Sequence, residues 1–137
     1  MSGRTWEFDE ARARCAAASI QQKSAENAKL DAAKTAAQAE HDYRILLAQT
    51  IVTQHANGVA WTAAADLAKG DPAVAQLRMA RDVAVGVRDG LDQAVWRSIA
   101  DRKDAQRFAD WSMRTAVADG SVHGGDQRLQ WSGRDAA

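Results

Sequence analysis

The sequence is poor in several residue types that mark common protein classes. It has one cysteine, one proline, one tyrosine and two phenylalanines among 137 residues, and its 18 basic side chains are balanced by 18 acidic ones. A single cysteine excludes an intrachain disulfide framework and favours a reducing compartment, so we expect a cytoplasmic protein. Zero net charge argues against sequence-independent nucleic-acid binding, which needs a basic excess. No apolar run approaches the ~20 residues of a membrane span, so no membrane association is expected.

Residues that carry catalysis or bind metals are also sparse. The three histidines, His41, His55 and His123, lie far apart and have no cysteine or carboxylate at metal-ligand spacing. Cys15 falls on an apolar helical stripe with no histidine placed to activate it, so a core role is expected. The chain has no nucleophile elbow, phosphate loop or dinucleotide-binding glycine motif. We therefore expect a protein without enzymatic activity, cofactor or metal.

Alanine dominates what is present, with 31 residues. Because alanine is the best helix former and strand-favouring residues are few, the sequence predicts an all-α fold. The first helix is predicted over about residues 8–56, ending before Asn57 and Gly58, a usual helix stop. One stripe of this helix repeats at alternating spacings of three and four residues, as a coiled-coil seam does. This first seam consists of Phe8, Ala11, Cys15, Ala18, Gln22, Ala25, Lys29, Ala32, Ala36, Ala39, Tyr43, Leu46, Thr50 and Thr53.

Turn-forming residues at the middle of the chain separate the predicted helices. Thr62 is expected to N-cap a short elbow helix at about 62–69, and Gly70 to end that helix with a positive φ. Asp71 is a favoured N-cap for the next helix. Pro72 fits its first position, where no backbone N–H is needed.

A second long helix is predicted over about 72–118. Its seam consists of Val74, Leu77, Ala80, Ala84, Val87, Leu91, Val95 and Ile99, then less regularly of Ala105, Phe108 and Ser112. Gly86 and Gly90 cost this helix about 1 kcal/mol each, which a closely crossing backbone would justify. Residues 120–137 are aperiodic, so we expect a flexible tail. The predicted fold is a long antiparallel helical hairpin, coiled-coil-like, over residues 1–119, with a short elbow helix and a flexible C-terminal tail.

The end of the second helix interleaves aromatic and basic side chains, as single-strand nucleic-acid binders do. The candidate nucleic-acid face consists of Trp96, Arg97, Arg102, Lys103, Arg107, Phe108, Trp111 and Arg114. Asp101, Asp104 and Asp110 stand among these cations, which is equally the pattern of a solvated helix face with its own ion pairs. We favour the solvated face, with nucleic-acid binding and a protein-partner face as alternatives.

The central segment carries a resemblance to a known family. Residues 43–84 contain a helix with Tyr43 that ends before Gly58, then Thr62, then the pattern L-A-[KR]-G-D-x-x-V-A-x-L-R-x-x-R-D-x-A from residue 67. This segment resembles small helical proteins of tailed bacteriophages and prophages, whose genes tend to lie among early genes for recombination and replication. The resemblance covers about a third of the chain. It implies an accessory role with DNA-processing proteins in a bacterial host.

Three polar positions of that pattern, Arg78, Arg81 and Asp82, are not needed to form the turn. They either form a network that locks the elbow or present a contact face to a partner. The lock is the favoured interpretation.

Function and assembly are predicted from these features together. We expect a non-enzymatic phage or prophage protein that acts through protein–protein interaction, with a nucleic-acid-binding accessory and a virion or scaffold component as alternatives. Because an alanine seam buries little area, a homodimer or larger oligomer is also expected. Apolar residues off the seams would lie at its contacts: Ile20, Leu30, Leu47, Ile51 and Val83.

Overall fold

The computed structural model describes residues 3–119. Three helices, α1 (Gly3–Ala56), α2 (Trp61–Lys69) and α3 (Pro72–Ala118), make 94% of this part of the chain helical, and it contains no strand. The long helices α1 and α3 pack against each other, so the predicted all-α helical hairpin with an elbow helix is confirmed. The helix α1 begins five residues earlier than predicted. The predicted flexible tail at 120–137 lies outside the described residues.

The chain divides into two compact units. Among the described residues, the first unit combines residues 3–23 with residues 97–119, and the second unit is Ser24–Trp96. The second unit therefore holds most of α1, all of α2 and the first half of α3. Within residues 3–119, none of the helices has a stretch with the length and hydropathy of a membrane span.

The first seam is the interior face of α1. Every seam residue from Phe8 to Thr50 is buried or half-buried, and Ala11 and Ala36 are almost completely covered. Only the last predicted position, Thr53, is exposed. The three-and-four spacing therefore identified the packed face of a 54-residue helix.

The seam of α3 was predicted correctly except at two positions. Ala80 and Val87 are exposed, and Arg81 and Arg88 occupy the half-buried seam positions instead. The prediction was wrong because it followed apolar identity alone. A seam of alanines on α1 leaves room for long side chains, and an arginine can cover apolar surface with its methylene stem while its charge stays hydrated.

The start of α3 is built as predicted. The Asp71 carboxylate accepts hydrogen bonds from the backbone N–H groups of Ala73 (3.0 Å) and Val74 (3.4 Å), and Pro72 is the first helical residue. These bonds satisfy donors that have no partner within the helix.

Two predictions at the ends of α2 were wrong. The helix begins at Trp61, and its N-cap is Ala60, whose methyl side chain provides no cap, so Thr62 lies inside the helix. Gly70 has a right-handed φ of −84°. Among the described residues only Gly58 has a positive φ, at 94°, in the turn that follows α1. The backbone therefore adopts a left-handed conformation at Gly58, just after α1. The junction between α2 and α3 has a right-handed backbone, so it does not require a glycine.

Candidate interaction surfaces

Arg81 lies at the centre of a polar cluster in the second unit. Its guanidinium donates to the Asp82 carboxylate at 2.8 and 3.0 Å, lies 3.5 Å from a Glu40 oxygen and stands 4.5 Å from the centre of the Tyr43 ring. The hydrogen bond to Asp82 and the nearby Glu40 charge raise the pKa of Arg81 above its ordinary value. Arg81 therefore joins α3 to α1 through a carboxylate and an aromatic ring at once.

This cluster assigns different roles to the three polar residues of the central pattern. The favoured interpretation predicted a network that locks the elbow. Arg81 and Asp82 do form a network, but it ties α3 to α1. Arg78 is exposed and, within the described part of the chain, makes no hydrogen bond or ion pair. Sequence reasoning did not name Glu40 as a partner, although Tyr43 was placed correctly on the seam.

A second polar contact joins the same two helices. Lys29, a seam residue of α1, donates a 2.5 Å hydrogen bond to Asp92 of α3, and both side chains are about two-fifths exposed. An ion pair this open to solvent adds little to the free energy of unfolding. The pair places a lysine of the α1 seam directly opposite a carboxylate of α3. It therefore favours the register of α3 along α1 in which these two charges meet.

The elbow holds the one stacked aromatic pair described in the second unit. The His55 and Trp61 rings lie 3.6 Å apart and 15° from parallel, and a His55 ring nitrogen lies 3.0 Å from the Val59 carbonyl oxygen. This contact connects the last turn of α1 to the first residue of α2.

Seven of the eight candidate nucleic-acid residues are exposed, and Phe108 is half-buried. In the first unit Arg102 donates to Gln22 at 3.3 Å, and Phe108 lies under the Arg14 guanidinium at 4.9 Å, so both contact α1. The remaining members of this unit, Arg97, Lys103, Arg107, Trp111 and Arg114, are exposed. Arg107 lies 3.6 Å from Asp104. The remaining candidate, Trp96, is exposed at the end of the second unit.

The second unit leaves many large apolar side chains in solvent. Leu30, Ile45, Val52, Leu67, Met79, Val83 and Val87 are between 45% and 68% exposed. Beside Val52, an open concavity on α1 is lined by Ala48, Gln49 and Thr53. Leu47 and Ile51 are half-buried, so they are partly exposed as expected.

No family model, curated protein or solved structure matches this chain.

Proposed function

We propose that this protein is a non-enzymatic helical protein that acts by binding other proteins, and that it serves phage or prophage recombination and replication as an accessory. The observation that supports binding is that large apolar side chains are exposed on all three helices of the second unit. Where such side chains share one face of a helix, exposed apolar surface marks an interaction site. The phage setting rests on the resemblance of residues 43–84.

The surface proposed for a protein partner is on the last turns of α1. Ile45 and Val52 are seven residues apart, two helical turns, so they lie on one face, and both are at least 45% exposed. The open concavity beside Val52 can receive an apolar side chain of a partner. Amphipathic helices of partner proteins use such spaced apolar positions as anchors.

The test is partner capture followed by measured binding. The tagged wild-type protein and the Ile45→Glu/Val52→Glu variant are expressed in the bacterial host, and captured proteins are identified and then purified. We expect a recombination or replication protein whose affinity falls at least about tenfold in the variant, because a buried charge without a partner is costly. Asn27→Glu/Ala37→Glu, which adds the same charge at exposed positions of α1, is the matched control.

Other outcomes of the same capture have definite meanings. A capsid or tail protein as the partner would establish the virion alternative. Capture of nothing but further copies of this chain would contradict the proposed function.

Nucleic-acid binding is the second candidate, favoured by the exposed cations near Trp111, which is itself 59% exposed. Binding of a labelled single strand should weaken steeply with salt and should be lost in the Lys103→Ala/Arg107→Ala/Arg114→Ala variant. Arg102 is left unchanged because it contacts Gln22. Absence of binding at low salt would eliminate this candidate.

A further inference from the structure

One face of α3 in the second unit is uncharged along its whole length. It consists of Ala73, Gln76, Met79, Ala80, Val83, Gly86, Val87, Gly90, Gln93 and Ala94. These positions fall within about half of the helix circumference at 3.6 residues per turn. All are exposed except Ala94, which is half-buried. We call this set the uncharged face.

Charges are abundant on the rest of the same segment. Between residues 73 and 94 they occupy only the other side of α3: Arg78, Arg81, Asp82, Arg88, Asp89 and Asp92. A solvated helix face normally carries charge, and charged residues make up 26% of this chain. Exposure without charge over six turns of helix is therefore the mark of a surface that packs against another helix.

The glycines of this face support the same conclusion. Gly86 and Gly90 were expected to allow a backbone to cross closely, but a Cβ built on either one would meet nothing within 4 Å. Within the described residues no intrachain contact therefore accounts for two glycines inside a helix. They are accounted for if a second helix approaches α3 from outside.

Six residues of the uncharged face form an outer stripe, distinct from the seam that packs on α1. The spacing between its members is the same in both directions along the helix. Gln76, Ala80, Val83, Val87, Gly90 and Ala94 are spaced by four, three, four, three and four residues. Reversing the helix about residue 85 exchanges Val83 with Val87, Ala80 with Gly90 and Gln76 with Ala94. Two copies related by a two-fold axis would thus bring valine onto valine at the centre and small residues together on either side. The face is complementary to itself in the antiparallel direction.

We infer that the uncharged face docks a second copy of this chain, antiparallel, across a two-fold axis near residue 85. This inference goes beyond the proposed function, because it names a surface whose occupant is another copy of this chain. The charges near the face do not oppose association of two copies. Asp82 and Asp89 at its edge are each paired with the preceding arginine, and the net charge of the chain is zero. The segment is about 33 Å long, so half its circumference amounts to on the order of 500 Å² per copy. The pair then reaches about 1,000 Å², the lower bound of specific interfaces.

The first test compares association states by sedimentation velocity of the full chain. The wild type should form a dimer at micromolar concentration, and Val83→Glu/Val87→Glu should raise the dimer Kd at least about tenfold because like charges would face each other. Both positions are exposed and glutamate is a better helix former than valine, so circular dichroism should show an unchanged helix content. Asn27→Glu/Ala37→Glu should dimerise as the wild type does.

The second test measures the direction of packing by disulfide trapping. In a Cys15→Ala background, Gln76→Cys and a differently tagged Ala94→Cys should cross-link when mixed, and neither should cross-link alone. In the antiparallel dimer two copies of position 76 lie about 27 Å apart, far beyond disulfide reach. A parallel dimer would cross-link each variant with itself and would overturn the arrangement.

Two further outcomes would overturn the inference and leave the proposed function standing. The first is a wild-type monomer up to about a hundred micromolar, and the second is a dimer that Val83→Glu/Val87→Glu does not weaken. If the dimer behaves as described and the chain captures no other protein, the inference holds and the proposed function fails.

Discussion

At the scale of single residues, the contact between α1 and α3 in the second unit combines very small side chains with long charged ones. Ala32 and Ala36 on α1 are buried but cover little area, whereas Arg81 reaches across to Glu40 and Tyr43. Burial of an alanine contributes much less than the ~1.5–3 kcal/mol of a buried leucine. The polar clusters therefore contribute specificity, by fixing which turn of α3 lies beside which turn of α1.

A prediction at this scale concerns the two glycines near the turns. Gly58→Ala should lower the free energy of unfolding by about 1 kcal/mol, because an L side chain is strained at a positive φ. Gly70→Ala is the matched comparison. Gly70 has a right-handed conformation, and a Cβ there would meet nothing nearer than the Leu67 carbonyl oxygen at 3.6 Å, an ordinary contact. Urea unfolding at one fixed protein concentration measures both variants. Equal stability losses would show that the two turns do not differ as described.

At the scale of helices, the junction between α2 and α3 depends on one side chain. Asp71→Ala should destabilise the protein by about 0.5–2 kcal/mol, because the N–H groups of Ala73 and Val74 lose their acceptor. Asp71→Asn should recover most of that loss, since an amide oxygen also caps a helix. Thermal unfolding followed by circular dichroism distinguishes the three proteins. An alanine variant as stable as the wild type would contradict the capping role.

The two long helices also show how much of the packing can be predicted from sequence periodicity. The seam of α1 was predicted almost completely because its spacing of three and four residues continues without a break from Phe8 to Thr50. On α3 the apolar residues form two stripes, and Ala80 and Val87 belong to the outer one. Spacing alone cannot tell which stripe faces the partner helix, since both repeat every three or four residues. The inward position of Arg81 depends on space left by alanines of α1, which is a property of the packed pair.

For the turn residues too, some roles could be predicted from the sequence and others could not. Asp71 and Pro72 act through neighbours within three residues, so the sequence was sufficient to predict their roles. The conformation of Gly70 and the start of α2 depend on how the chain leaves α1, where Trp61 stacks on His55. The candidate interaction residues were only partly predicted. Val83 was correctly placed off the seams, but the exposure of Met79 and Val87 follows from the packing of the opposite side of α3.

At the scale of the whole molecule, helix content is high and the apolar interior is small. Ordering more than a hundred residues costs on the order of 100 kcal/mol or more in conformational entropy, and the buried hydrophobic residues are mostly alanines. A chain with this balance gains stability from any partner that binds only the folded state. If that partner is a second copy, the gain must depend on protein concentration.

The melting temperature of the wild type should therefore rise with concentration. A hundredfold increase in concentration changes the free energy of a two-chain equilibrium by about 2.7 kcal/mol, enough to raise the midpoint by several degrees. Circular dichroism melts at about 1 and 100 μM measure the change, with path length adjusted to keep the signal constant. Val83→Glu/Val87→Glu should have the same melting temperature at both concentrations, and that temperature should be no higher than that of the wild type at the lower concentration. The variant removes the contact between copies but keeps both helices. A wild-type midpoint that stays constant over this range would mean that the alanine-seamed hairpin is stable by itself, and that the uncharged face of α3 contributes nothing to folding.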